Sequence, residues 1–393
     1  MIATPHSDFD LYGDAALLDP YPGYRMLRDL GSAVNLPHID AHFIGRFDDV
    51  RAALTNWQVF SSDKGVGLNP VINEAWDEAL ICIDPPAHTP RRKLMTDVLG
   101  PPAIKFARDS IANRAYDLAD RLAAKPQFDA VKDLAYDLPI NLIMDLVGWP
   151  EDIRPSLLEY AEGSFDACGP MGPRVEKSLG KMQHMMGMIG DIFDANRVTP
   201  GGFASSLIDA ANDGKITRDT SIGMLAGYVV AAFDTTINAI SSAVWLFAEN
   251  PGEWDKLRAN PNLANDAATE IVRMECPLQY FCRYTTRDIE MSDGTTLPGD
   301  RRVIINYGSA NRDERHFRDA DTFIIDRDQK QHMGFGHGIH NCAGQGLARL
   351  ELVAVLTALA SKIKRFELVG LPERGVNNLV RGFRNIPMRA IAG

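Results

Sequence analysis

The 393-residue chain is short of basic charge: 41 Lys and Arg stand against 52 Asp and Glu, a formal net charge of −11. Nucleic acid and anionic membrane surfaces are therefore not expected as partners. Cysteine is scarce too. Five residues, an odd number without a CxxC pair, argue against a disulfide framework and fit a reducing cytoplasm. A flavin fingerprint is missing, as is a four-cysteine spacing suited to an iron–sulfur cluster, so any electrons the chain consumes must come from elsewhere. The first twenty residues, MIATPHSDFDLYGDAALLDP, lack a basic stretch followed by an apolar run. Neither a signal peptide nor a membrane anchor is expected. No repeat, low-complexity segment or composition shift marks a linker, which favours a single domain over residues 1–393.

What is present is mostly helical periodicity. Apolar spacing predicts helices over 47–55, 104–125, 138–147, 151–167, 174–196, 218–249, 251–258, 264–275 and 344–362. A short hairpin is expected at 33–46, a strand leaving a turn within 299–313, and two further strands in FELVG and IPMRAIA. The fold class is therefore mainly α with a minor sheet. The run MLAGYVVAAFDTTINAISSAVWLFA (224–248) is long and apolar enough to span a bilayer. Asp234 near its middle would cost about 2.5–3.5 kcal/mol there. A buried core helix is the better reading, and the acid then needs a purpose. Two irregular stretches, 57–87 and CGPMGP at 168–173, read as loops of the kind that cover binding sites.

FGHGIHNCAG, residues 335–344, packs one Cys, two His and three Gly into ten positions. Three readings stand side by side. Cys342 is a buried structural thiol, or a zinc ligand with His332, His337 and His340, or the axial thiolate of a haem. Zinc is poorly served by a glycine-rich loop without CxxC or HxxxH spacing. A haem thiolate is well served, because free N–H groups of a helix starting after Cys342 would face the sulfur and lower its pKa.

The decapeptide resembles the haem-binding signature of the cytochromes P-450, F-x-x-G-x-x-x-C-x-G, here Phe335, Gly338, Cys342 and Gly344. Other stretches resemble the family in the same order. TEIVR and DTFIIDRDQ are similar to its E-x-x-R and following Arg, which implies a structural triad of Glu270, Arg273 and Arg327. DPPAHTPRRKL is similar to the stretch that reaches the haem carboxylates, which implies that His88 and Arg92 bind the cofactor, helped by Arg283 and His340. Pro90 stands where the pattern often has a further Arg. AAFDTT resembles A-G-x-D/E-T-T of the long central helix, with Ala232 replacing the Gly. That implies Asp234 and Thr235 as the pair that delivers protons.

The resemblance implies the P-450 fold: a helical domain with a small β-rich lobe, and haem b (iron protoporphyrin IX) between the central helix and the Cys-loop helix. It implies monooxygenation with O₂. Electrons would come from a small [2Fe-2S] or similar ferredoxin and its NAD(P)H-dependent reductase, docked near Lys105, Arg108, Arg349 and Lys362. A peroxide-driven peroxygenase and a non-catalytic haem protein remain as alternatives, both disfavoured by the Asp–Thr pair. SSDKGVGL, CPLQYFCRYTTRDIE and NNLVRGFRNIP are similar to the subfamily that O-demethylates para-methoxybenzoates. Candidate pocket residues are Val66, Leu68, Leu80, Phe165, Val230, Phe233, Leu278, Phe281 and Phe383. The basic anchor of that subfamily is absent from MLAGYVV, and Lys64 is the loop cation left to meet an anion. A small neutral aromatic is expected as substrate, with a monoterpenoid as the alternative.

Overall fold

A computed structural model describes residues 2–161 and 163–393. Its centre is the helix Arg218–Glu249. Thr217 starts it by accepting the Thr220 N–H at 3.0 Å, and Pro251 opens the next helix two residues after its end. The helix is long and apolar enough to cross a membrane, but most of it is buried inside the protein. Helices Asp137–Val147, Pro173–Asp194 and Ala264–Glu275 pack around it. Gln345–Lys362, which follows the Cys loop, lies against Pro101–Ala123 and also touches the central helix. The protein is mainly helical, as the periodicity predicts.

The β lobe is a five-stranded sheet in the order Val34–Leu36, Ala41–Ile44, Arg302–Asn306, Tyr280–Thr285, Phe60–Ser61. Only the Ala41–Ile44 and Arg302–Asn306 pair is parallel. The predicted hairpin is there, turned by Pro37–Ile39 and by Asp40 in the left-handed region at φ 47°. The last two expected strands, Ile363–Leu368 and Pro387–Ala392, pair antiparallel.

Several expectations need correction. The helix predicted over 151–167 is broken into Arg154–Ala161 and a 3₁₀ turn, Ser164–Cys168, because Gly163 takes φ 80°. The strand expected within 299–313 is only Arg302–Asn306. Asn306 then caps a short helix by accepting the Ser309 N–H at 2.7 Å. Helices Tyr21–Leu30, Pro70–Ala75 and Phe203–Asn212 lie outside the predicted set.

Cys82, Cys168, Cys276 and Cys282 are buried thiols. Burial pushes Cys82, Cys276 and Cys282 up to about 12, and raises Cys168 well above the ordinary range. Glu351, on the Gln345–Lys362 helix, is 4% exposed, and its Oε2 has no hydrogen-bond partner among the described residues. Burial pushes its carboxyl from 4.5 up to about 8. The folded protein thus keeps a proton that the unfolded chain releases. The stability tied to this group is full below about pH 4.5 and declines as the pH rises towards 8. Glu351→Gln should therefore melt above the wild type at pH 8 and close to it near pH 5. Calorimetric scans across that range check this, and equal pH slopes in the two proteins would refute it.

Candidate functional site

The Cys loop is shaped by its own backbone. Cys342 N–H donates to the Phe335 carbonyl at 2.8 Å, which closes the loop. Gly336 and Gly338 take φ 66° and 71°, and a Cβ on Gly338 would lie 2.2 Å from the Leu54 carbonyl oxygen. Only glycine fits there. The Cys342 thiol has accessible surface yet is enclosed by protein, so it faces an internal cleft. Enclosure raises the thiol, while the Gly344 N–H and the Arg92 charge pull it down. Phe335 packs beside the loop, with the Arg349 guanidinium 5.2 Å from its ring centre and the His332 ring at 5.5 Å. The four zinc candidates do not converge: no group of three or more His, Cys, Asp or Glu is placed for a metal ion among the described residues.

A second cluster joins the loop to the helix His88–Leu99. The rings of His88 and His340 meet edge-on at 4.7 Å. His340 Nε2 lies 3.2 Å from Ser62 Oγ and 3.5 Å from Asp84 Oδ1. Burial drives His340 down to about 4, and also lowers His88, so both are neutral near pH 7. Burial would raise Asp84, but hydrogen bonds from His340, Ser61 and the Ser62 N–H bring it below its ordinary value. Arg92 donates to Asn341 Oδ1 at 2.9 Å, and Arg283 to the Cys282 carbonyl at 2.7 Å. Neither guanidinium is paired with a carboxylate among the described residues. His88 Nε2 is buried without a partner. Two enclosed cations and an orphaned donor or acceptor make a costly arrangement unless an anion meets them.

The central helix opens on one face only. Gly227 and Ala231 are exposed, and Asp234, Thr235 and Asn238 are half-buried, in a helix otherwise mostly buried. These positions share one side at 3.6 residues per turn. Thr235 Oγ1 donates to the Ala231 carbonyl at 2.6 Å. Thr236 is 6% exposed and faces the core. Of the candidate pocket residues, Val230 is one turn before Asp234 and borders this face, while Phe233 lies about 160° around the helix from Thr235. Leu68, Leu80, Leu278 and Phe281 keep accessible surface, whereas Val66 and Phe165 are buried. Phe383 is covered by Arg374 at 3.7 Å and Trp245 at 5.2 Å. Lys64 lies 3.8 Å over the Tyr284 ring and 4.0 Å from Asp300, on the outer side of its loop.

Glu270 holds two arginines. Arg273 donates to its carboxylate at 2.7 and 2.8 Å, and Arg327 at 3.2 and 3.3 Å. Arg273 also donates to the carbonyls of Asn311 and Ala320, and Arg327 to those of Asp319 and Thr322. The helix Ala264–Glu275 is thereby tied to the segment that leads into the Cys loop. Residues whose roles sequence reasoning missed are Ser62, Asp84 and Asn341. Asp84 and Asn341 lie inside the quoted stretches, but their partners His340 and Arg92 are far away in the chain, so the pattern does not give the pairing.

A sequence model described as Cytochrome P450 matches residues 181–388. The chain is 36% identical to cytochrome p450 CYP199A2 of Rhodopseudomonas palustris (strain ATCC BAA-98 / CGA009), over 98% of this chain and 94% of that one. It is 31% identical to linalool 8-monooxygenase of Pseudomonas putida, over 84% and 81% of the two chains. The crystal structure of Mycobacterium smegmatis CYP164A2 in its ligand-free state superposes with a TM-score of 0.86 at 28% identity, covering 96% of this chain and 98% of that one. Fold and relatives define a haem-dependent oxidoreductase. The chain belongs to the cytochrome P450 family, whose monooxygenases carry haem b and draw on redox partners and O₂. The residues present fit that group, since an internal thiol faces a cleft bordered by two cations that lack carboxylates.

Removing the Glu270 carboxylate would leave two buried guanidiniums unpaired. Glu270→Ala should lose about 3–5 kcal/mol of stability. Urea unfolding followed by far-ultraviolet dichroism measures this, and a loss comparable to an exposed ion pair would contradict the analysis.

Proposed function

We propose that residues 1–393 form one catalytic unit that inserts an oxygen atom of O₂ into a small, neutral, apolar aromatic by hydroxylation or O-dealkylation. The observation that carries this reading is the Asp234–Thr235 pair on the open face of the central helix, in a chain whose Cys342 faces an internal cleft. Haem b, when bound, supplies the reductive activation of O₂. Cys342 would hold its iron through sulfur, with Phe335 and Gly344 beside it in the loop. His88, Arg92, Arg283 and His340 would receive its two carboxylates. Glu270, Arg273 and Arg327 keep the segment before the loop in place.

Asp234 exchanges protons with solvent, and Thr235 Oγ1, its own hydrogen held by the Ala231 carbonyl, offers its lone pairs to a water that carries the proton into the cavity. Thr235 is positioned for this by its bond to the Ala231 carbonyl. A neutral substrate is supported by the acids that already pair several arginines. Arg91 lies 2.6 Å from Glu78, Arg174 2.5 Å from Asp14, and Arg374 2.5 Å from Glu275, which Arg381 approaches at 3.5 Å. A substrate carboxylate would have to break one of these pairs or lie buried unpaired, at a cost of several kcal/mol. A monoterpenoid is the second reading, favoured by the relative named linalool 8-monooxygenase.

Electrons arrive from a small [2Fe-2S] or similar ferredoxin and its NAD(P)H-dependent reductase, in the cytoplasm. Lys105 and Arg108 are exposed and available for docking. Arg349 is committed to Thr269 at 2.7 Å and Lys362 to Asp120 at 2.7 Å, so they contribute less.

The reduced carbon monoxide complex should show the red-shifted Soret band of thiolate ligation, and Cys342→His should lose it. Titration with methoxyphenols, methoxybenzoates and terpene alcohols should give a full low-to-high-spin shift with the phenols. A full shift only with the benzoates, or only with the terpene alcohols, would overturn the neutral aromatic. In Thr235→Ala, reducing equivalents should be diverted to hydrogen peroxide while binding is kept. Unchanged coupling of NADH to product would refute the hydroxyl's role.

A further inference from the structure

The two cations at the mouth of the cleft are held in different ways. Arg283 is 3% exposed and donates to the carbonyl of Cys282, on its own strand, at 2.7 Å. Burial and local backbone fix its place. Arg92 is only half-buried, on the second turn of the helix His88–Leu99. Among the described residues its guanidinium has one hydrogen-bond partner, Asn341 Oδ1 at 2.9 Å. An arginine side chain is long and rich in rotamers, so without that bond the charge is free to swing towards water.

Asn341 is built to hold it. Its backbone is fixed on both sides. Its own N–H donates to the Gly338 carbonyl at 3.2 Å and ends the 3₁₀ turn Gly338–His340, and the next N–H, that of Cys342, donates to the Phe335 carbonyl at 2.8 Å. A short side chain on a rigid backbone thus grips the tip of a long one on another element. The choice of acceptor matters as much as the grip. Arg273 and Arg327 are held by the carboxylate of Glu270, which also neutralises them. The Asn341 amide is uncharged, so it orders the Arg92 guanidinium and leaves its charge in force. That charge is felt at the Cys342 sulfur, one residue further along the loop.

A fixed positive charge favours whichever state of its neighbour is the more negative. Reduction of a haem iron from ferric to ferrous adds one electron, so a cation kept close by raises the reduction potential. The influence falls with distance and is screened once the charge reaches water. We propose that Asn341, by holding the Arg92 guanidinium beside Cys342, raises the reduction potential of the haem iron and eases uptake of the first electron, which the ferredoxin gives up as it is oxidised. This rests on the reading of Cys342 as the iron's ligand given above. Asn341 acts through Arg92, so it is a positioning residue.

The test is a spectroelectrochemical titration of the haem-loaded, substrate-free enzyme with redox dyes, followed at the Soret band. Asn341→Ala removes the acceptor, and Asn341→Leu replaces it with an apolar group of similar size. The pair covers the case in which one variant loads haem poorly. Each should shift the equilibrium about fivefold towards the ferric state, a midpoint fall of about 40 mV at about 59 mV per tenfold. Arg92→Gln should lower the midpoint by at least as much. Adding Asn341→Ala to Arg92→Gln should lower it no further, because the amide then has no charge left to place. An unchanged midpoint in the Asn341 variants would overturn the proposal, as would a fall of equal size in the Arg92→Gln background. The reduced carbon monoxide spectrum is recorded on the same samples. A wild type without the red-shifted Soret band would sink the reading of Cys342 and the proposal with it. A red-shifted band with unchanged midpoints would sink the role of Asn341 alone.

Discussion

Everything around the thiol depends on one buried carboxylate. Glu270 is 3% exposed and holds Arg273 and Arg327, which are 1% and 8% exposed. A pair of guanidiniums this deep is tolerable only because one acid and five backbone carbonyls take up their donors. Those carbonyls belong to Asn311, Arg318, Asp319, Ala320 and Thr322, so the charge requirement fixes a stretch of irregular backbone that has little regular structure of its own. Asn311 extends the tie by accepting the Met333 N–H at 2.6 Å, two residues before Phe335. The loop that carries Cys342 therefore starts from a position dictated by electrostatics on a neighbouring helix.

The opposite balance holds at the mouth of the cleft. Arg92 and Arg283 are enclosed without acids of their own, and the nearby His88 and His340 are driven neutral by burial. Within one protein, then, buried cations are neutralised internally where the role is structural and left unsatisfied where a dianionic cofactor is to be received. That contrast explains why similar residues, all arginines withdrawn from solvent, serve different ends.

Much of this was legible in the sequence. Helices 47–55, 218–249 and 264–275 appear at the predicted bounds because their apolar repeats are long and their neighbours cap or break them. The Cys loop was legible because glycine is forced at Gly338 by the Leu54 carbonyl, and a forced residue leaves a pattern. The pocket was less so. Phe233 is as apolar as a pocket wall should be, yet its angular position on the helix turns it away from Thr235. A string of letters identifies apolar residues more readily than the side on which they point. Asn69 and Asn378, buried asparagines that hydrogen-bond the backbone of the turn 163–169, were invisible for a different reason. Their partners are about 100 and 200 positions away, and asparagine in a loop usually means only a turn.

The four remaining thiols acquire a meaning from the chemistry performed beside them. An enzyme that reduces O₂ lives with occasional leakage of peroxide, and peroxide attacks the thiolate form of cysteine. Cys82, Cys276 and Cys282, at about 12, and Cys168, raised well above the ordinary thiol range, stay protonated and buried. Their placement makes them hydrocarbon-like filler, and the protein can age through many turnovers without cross-linking or acidifying its own interior.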